Sequence, residues 1–293
     1  MLPIHEKMKI HAMSYPYNHV VLRHVFNKET YLHLRDLVQK YKNKGQRIGQ
    51  VGHEERHFYQ ARNYSPTATE LQEMKCSILI SKSLRNFIIG FFDTIVNDYI
   101  AVGIHTHKSG SPSGWAHSDL NIVSFKKDLA AFDETSLKLW ERGSCSYADD
   151  SAYNQPHTIK TARHIACIYY VDNQPWQLGD GGETAIYSEY ENDIPIFSKI
   201  PPLNNTMLIF EINPVSSHGF LQTKKERNSI IWWYHTSPAY VCKRNQRLSQ
   251  FKKQYMNGSF FDVWTGPEVL KWSIKSDPEY ALYFDNVDGD GFS

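Results

Sequence analysis

Three side chains in this chain have the types and spacing to hold a ferrous ion. His117 and Asp119 stand two apart in Trp115-Ala116-His117-Ser118-Asp119, and His218 opens the later segment His218-Gly219-Phe220. Two imidazole nitrogens and one carboxylate oxygen can occupy one face of iron and leave the opposite face open for chemistry. Nine residues after His218 comes Arg227, in Arg227-Asn228-Ser229. A guanidinium presents a planar fork of donors that matches a carboxylate. The combination points to iron chemistry fed by a carboxylate-bearing co-substrate.

Each piece has a plainer reading when it stands alone. The chain has 14 histidines, so a chance HxD triplet is unremarkable. His117 by itself reads as a polar residue in a surface turn. Arg227 by itself reads as a surface arginine ahead of an apolar strand. Their joint occurrence carries the argument. On a strand, residues i and i+2 point the same way. His117 and Asp119 are then expected to face one interior, with Ser118 turned out, and Asn213-Pro214 to form the turn that feeds His218. Along Arg227 to Trp233 the same alternation puts Arg227, Ser229, Ile231 and Trp233 on one face. A guanidinium inside a barrel is costly without a partner. A bound dicarboxylate provides one, and Ser229 can add a hydroxyl hydrogen bond to it.

These residues need a frame. Short apolar and aromatic runs punctuated by Gly, Pro, Asn and Asp begin near residue 100. Ile165 to Val171, Thr184 to Tyr187, Met207 to Phe210 and Ser229 to Tyr234 read as strands. Gly179-Asp180-Gly181-Gly182 is a strong turn signal. Short strands with this punctuation predict a sandwich or barrel. Upstream, residues 27–43 read as an amphipathic helix. Asn27 is its N-cap, and Tyr31, Leu34, Leu37, Val38 and Tyr41 form the apolar stripe. Residues 65–99 read as more helix, with Ser65-Pro66 as the start signal.

The order of motifs now becomes specific. Cys167-Ile168-Tyr169-Tyr170-Val171-Asp172, then Trp176, then Gly181-Gly182, resembles the prolyl-4-hydroxylase-like branch of the iron(II)- and 2-oxoglutarate-dependent oxygenases. It is most similar to the hypoxia-type prolyl hydroxylases and their bacterial relatives. The likeness covers about residues 100–236 and is strongest over 164–236. It implies a mainly β fold with flanking helices around a double-stranded β-helix, the cupin-like jelly roll. It implies His117, Asp119 and His218 as iron ligands and Arg227 as the residue that binds the distal carboxylate of 2-oxoglutarate. Tyr170 would hydrogen-bond to that carboxylate, and Ile168, Thr184, Ile231 and Trp233 would line the pocket. Iron(II), 2-oxoglutarate and O2 are the implied cofactors, with ascorbate as reductant.

Two departures from the family pattern stand out. Many relatives carry a tyrosine ten residues before the first ligand, and here that position is His107. It serves either as a donor to the co-substrate or as core packing. The first two ligands are also separated from the next clear strand by residues 120–162. That stretch contains Phe125, Trp140, Tyr147, Asp149-Asp150 and His157, and it reads as an inserted lid or recognition segment. Asp119 argues for hydroxylation, because halogenating relatives lack this carboxylate. The expected organisation is a helical support region at 1–99, the oxygenase core at 100–236 and a C-terminal extension at 237–293.

Bulk properties exclude other classes. The 293 residues suffice for one large core. The formal net charge is +1, with no global pull toward nucleic acid or anionic membrane. The one basic cluster, Lys243 to Lys253, reads as a solvated face. Cys76, Cys145, Cys167 and Cys242 have no CxxC pairing, so neither a zinc site nor a disulfide scaffold is expected. No apolar run is long enough to span a membrane. The expectation is a cytoplasmic enzyme that hydroxylates a small molecule or peptide. An oligomer is compatible with the sequence, but nothing in it demands one. The rival reading is a non-catalytic 2-oxoglutarate- or metal-binding sensor on the same fold. A zinc hydrolase is disfavoured by the lack of an HExxH helix.

Overall fold

The computed structural model describes residues 2–44, 46–47, 61–114, 116–141, 157–187, 196–213, 215–241 and 243–245. Trp115, Cys145, Tyr147, Asp149, Asp150, Pro214, Cys242 and everything from residue 246 lie outside that set.

The N-terminal part begins with two strands, β1 (Lys9–Met13) and β2 (His19–Arg23). Helix α1 (Lys28–Tyr41) follows, with the Asn27 side chain accepting from the Thr30 N–H at 3.0 Å. It buries Leu34, Leu37, Val38 and Tyr41, the stripe its spacing predicts. Short strands β3 (Gln46–Arg47) and β4 (Ala61–Tyr64) come next. The expected continuous helix over 65–99 is three short pieces instead. Helix α2 (Ala68–Glu73) starts after a capping box between Thr67 and Glu70, not at Ser65-Pro66. Lys75, at φ +56°, ends that helix, because a left-handed residue stops helical propagation. A 3-10 turn (Ser77–Ile80) and α3 (Lys82–Ile89) follow. The first 99 residues are therefore not helical throughout, since β1, β2, β3 and β4 all join the main sheet.

The core strands are β5 (Tyr99–His107), β6 (Ile122–Lys126), β7 (Lys138–Leu139), β8 (Thr158–Tyr170), β9 (Thr184–Tyr187), β10 (Ile196–Ile200), β11 (Thr206–Glu211), β12 (His218–Phe220) and β13 (Arg227–Thr236). The stretch expected to be an insertion at 120–162 carries β6 and β7, which pair with β8 and β5. Its middle, 142–156, is outside the described residues.

Two sheets result. The larger has the order β1-β2-β11-β8-β13-β5-β4-β3, and the smaller is β10-β9-β12. The chain alternates between them: β8 in the large sheet, β9 and β10 in the small, β11 in the large, β12 in the small and β13 in the large. An antiparallel bridge from His117 to His218 adds the HxD segment beside β12. This alternation is a double-stranded β-helix.

Side-chain alternation along the central strands sorts two cores. Ile230, Trp232 and Tyr234 of β13, with Cys167 and Tyr169 of β8, pack outward against α1 and α3. Ile168, Tyr170, Trp233 and Phe210 point between the sheets. Burial of this many large apolar side chains is the main force holding the frame rigid. A rigid frame is what lets a site on its inner face keep its geometry.

Candidate active site

The site is built on the inner face of the large sheet. Three cross-strand rows can be read from the register. Arg227 faces His107. Ser229 lies between Tyr170 and His105, and His105 faces Asn63 on β4. Ile231 lies between Ile168 and Gly103. Residues far apart in sequence thus form one wall.

His117, Asp119 and His218 converge against this wall. One ligand atom from each can be chosen so that all lie within 4.8 Å of one another. The expectation that His117 and Asp119 project from a regular strand is not met. His117 sits on an isolated bridge, and residues 118–121 have no regular structure. The pairing of His117 with His218, through N–H···O bonds of 2.9 Å in both directions, positions the first ligand instead. Ser118 is buried rather than turned out, and its hydroxyl donates to the Asn213 carbonyl at 2.8 Å. That bond ties the HxD segment to the turn before His218.

The electrostatics favour metal-ready protonation states. His218 Nδ1 lies 3.2 Å from the Ser216 carbonyl. A carbonyl only accepts, so Nδ1 carries the proton and Nε2 is left with its lone pair. Burial, together with the neighbouring His117, holds His218 at about 4, so the ring is neutral at pH 7. Burial alone would raise the Asp119 carboxyl. His218, Arg163, His117 and a hydrogen bond from Trp233 outweigh it and hold Asp119 at about 2. The Trp233 indole N–H donates to Asp119 Oδ2 at 2.7 Å. The ring expected to line a co-substrate pocket therefore also orients an acidic ligand.

Arg227 is 3% exposed. Its Nη2 donates to Thr184 Oγ1 at 3.0 Å, and its Nη1 lies 3.5 Å from Ser229 Oγ. Tyr170 donates to the same Thr184 oxygen at 2.7 Å. The guanidinium carbon stands 5.2 Å from the ring centres of both Tyr170 and Phe220. Its Nε is buried without a hydrogen bond, and no described carboxylate pairs with it. Burial lowers its pKa, opposed by Tyr170. A buried cation held by neutral partners is costly unless a ligand completes it. A carboxylate fits that need.

His107 stacks on Phe220 at 3.9 Å between ring centres. Burial, with Arg227 and His105 beside it, drives its pKa well down, so it is a neutral ring at the foot of the arginine. Ile168 packs on the inner face near Trp233.

Sequence reasoning passed over four neighbours. Arg163 lies with its guanidinium carbon 4.1 Å from the Trp233 ring centre and its Nη1 3.7 Å from Asp119 Oδ1. Phe220 sandwiches Arg227. His105 and Asn63 extend the Tyr170–Ser229 row. For Phe220 the signal was available, since it lies two residues beyond His218 on a strand. For Arg163 it was not, because a register shift between β8 and β13 decides which residue there faces inward.

Residues 143–235 match the model of the 2OG-Fe(II) oxygenase superfamily. The matched stretch holds Tyr170, Thr184, His218, Arg227, Ser229 and Trp233, and it begins after His117 and Asp119. Those two are tied to the site by the bridge to His218 and by the ligand cluster. Solved structures similar to this chain include a prolyl-4-hydroxylase from Pseudomonas putida, at 14% identity and TM-score 0.46, covering 74% of this chain and 91% of that one. Another is a prolyl hydroxylase from Trichoplax adhaerens in complex with a hypoxia inducible factor oxygen degradation domain peptide fragment. It is 14% identical with TM-score 0.47 and covers 74% and 82%. A third is from work on prolyl 4-hydroxylases of Phytophthora capsici, at 13% and 0.43, covering 91% and 76%.

Proposed function

We propose that this chain, a member of the 2OG-Fe(II) oxygenase superfamily across residues 143–235, is an iron(II)- and 2-oxoglutarate-dependent dioxygenase that hydroxylates an unactivated C–H bond. The substrate class we propose is an amino acid, a peptidyl prolyl-like residue or a small natural product. One observation carries the reading. A cluster of two imidazoles and a carboxylate shares one wall with a buried arginine that has no counter-ion among the described residues.

The donor set suits ferrous iron, and three protein ligands leave positions open. His117, Asp119 and His218 would hold the metal. Arg227 would hold the distal carboxylate of 2-oxoglutarate, with Thr184, Tyr170 and Ser229 supplying hydroxyl hydrogen bonds around it. When bound, the iron and the co-substrate supply oxidation by dioxygen, with succinate and CO2 released alongside the hydroxylated product. The protein's own contribution is placement. Ser216 fixes the His218 tautomer through its carbonyl. Trp233 holds the Asp119 carboxylate oxygen. Tyr170 and Phe220 exclude water from the guanidinium, so that its pull on a carboxylate is weakly screened. Ascorbate is the reductant expected to sustain turnover.

The test is succinate formation from 2-oxoglutarate by the purified protein with ferrous iron and ascorbate, with candidate substrate pools added. Wild-type turnover that His218→Ala and Arg227→Ala both lose supports the reading. An absence of turnover together with an absence of iron binding overturns it, and favours a binding module on the same fold.

A further inference from the structure

Gly103 is the odd residue of the inner wall. Its neighbours on that face of β5 are Ala101, His105 and His107, and the row it sits in is otherwise isoleucine. A Cβ at this position would come 2.8 Å from Asn63 Oδ1 and 3.3 Å from His105 Nε2. Asn63 and His105, cross-strand partners on β4 and β5, therefore lean over the glycine. Both of these polar atoms are buried, and neither has a hydrogen-bond partner among the described residues. An orphaned buried polar atom leaves its desolvation uncompensated. Two side by side, on partly exposed side chains facing a site, are placed to accept hydrogen bonds from a ligand.

Their position says which ligand. His105 pairs across the sheet with Ser229, two residues from Arg227, and its ring lies 6.4 Å from that of Trp233. Trp233 in turn holds Asp119. The pair thus lies beside both the co-substrate arginine and the carboxylate ligand, on the edge of the wall formed by β4. Arg227 already has a mate in the proposed co-substrate, and Thr184 and Tyr170 lie on its other flank. The atoms left over at Gly103 are not needed for that. Asn63 Oδ1 can only accept. His105 is a neutral ring, because burial, reinforced by Arg227, holds it at about 4. The nearby Arg227 charge disfavours a cationic guest.

Resting on the oxygenase reading, we propose that Asn63 Oδ1 and His105 Nε2, brought together over Gly103, form a specificity subsite that binds an amide N–H of the substrate. Substrates offering a neutral amide beside the reacting carbon are selected, and their ester counterparts are rejected. A site with unpaired buried polar atoms discriminates strongly against an analogue that cannot satisfy them.

The test uses the full chain with zinc(II) in place of iron, 2-oxoglutarate bound, and histidine labelled with 15N. The probes are N-acetylglycinamide and its ester counterpart methyl acetoxyacetate, which carries no N–H. The His105 ring signal is assigned by its loss in His105→Phe. The expected result is an Nε2 shift on adding the amide and none on adding the ester. Asn63→Leu should weaken amide binding at least tenfold while leaving 2-oxoglutarate affinity and Tm unchanged. Bound 2-oxoglutarate with no amide-dependent shift, or equal shifts from amide and ester, overturns the subsite and leaves the oxygenase reading standing. Failure of the wild type to bind 2-oxoglutarate overturns the reading on which the subsite rests.

Discussion

Arg227 and Trp233 show how single side chains set this site. Arg227 is a buried cation whose partners among the described residues are neutral, so on the proposed reading its charge would serve binding more than stability. Replacing it with methionine removes a desolvation cost that the free protein bears alone. The expected outcome is an apo Tm that stays the same or rises, with 2-oxoglutarate affinity lost by about 2–5 kcal/mol, the usual effect of truncating one partner of a buried charge pair. Calorimetric titration and thermal melts of Arg227→Met check both halves. Trp233 acts one step away, through its 2.7 Å bond to Asp119. Trp233→Phe keeps the ring but removes the N–H. It should weaken metal binding by about 10–100-fold, the range for lost outer-shell partners. Cobalt(II) titration followed by absorbance would show it, and an unchanged affinity would deny Trp233 that role.

At the scale of elements, the turn before β9 carries the tightest constraint. Gly181 stands at φ +76°, and a Cβ there would come 1.9 Å from the Gln222 carbonyl oxygen. Gly182 follows at φ +80° and lies against Thr223. The Trp176 indole donates to the Gly181 carbonyl, which pins the turn to the loop ahead of it. This turn hands the chain from β8 to β9 and so places Thr184 before Arg227. Gly181→Ala should destabilise the fold by more than about 1–3 kcal/mol, since backbone strain and a backbone clash combine. Urea denaturation measures it. A change below about 0.5 kcal/mol, the size of a neutral surface substitution, would contradict the close approach.

Across the whole molecule, buried neutral histidines tie stability to pH. Burial holds His105, His164 and His218 each at about 4, against an ordinary value of 6.5. A folded pKa below the unfolded one means the unfolded chain binds more protons through that window. Stability is therefore complete above about 6.5 and is lost as pH falls toward 4, at about 1.4 kcal/mol per unit of difference. Melts of the metal-free protein between pH 7.5 and 4.5 should show Tm falling steadily below 6.5. His164→Gln should flatten that slope, because His164 is fully buried and lies apart from the metal cluster. A Tm independent of pH across the window would mean these rings are not buried neutral.

Much of the site was legible in residue types alone. The HxD triplet, His218 and Arg227 stood out because those groups suit iron and a dicarboxylate, and the structure brings the three ligand candidates together. Alternation along Arg227 to Trp233 correctly placed four side chains on one face, because period two is a property of any extended chain. Strand β8 shows where that logic stops. Counting by twos back from Tyr170 places His164 on the inner face. A register shift pairs Tyr234 with Ile165 but His235 with Arg163, so one residue is skipped. His164 turns away toward Glu211, and Arg163 takes the inner place over Trp233. A bulge leaves no mark in the hydrophobic pattern, because it is decided by pairing with a partner strand.

The same division holds elsewhere. Helix α1 was readable because its cap and its stripe are local. The capping box at Thr67 was equally local, yet Ser65-Pro66 drew attention away from it. Strands β1, β2 and β4 were missed because each is short and gains its identity from the neighbour it pairs with. By itself, then, the sequence determined which groups are available for chemistry and the local periodicities that carry them. Only the tertiary structure decided that His117 stands on a bridge to His218, that Trp233 grips Asp119, and that Asn63 and His105 meet over Gly103. Each of these depends on cross-strand register between segments distant in the chain, and register is an energy of the assembled sheet rather than of any one strand.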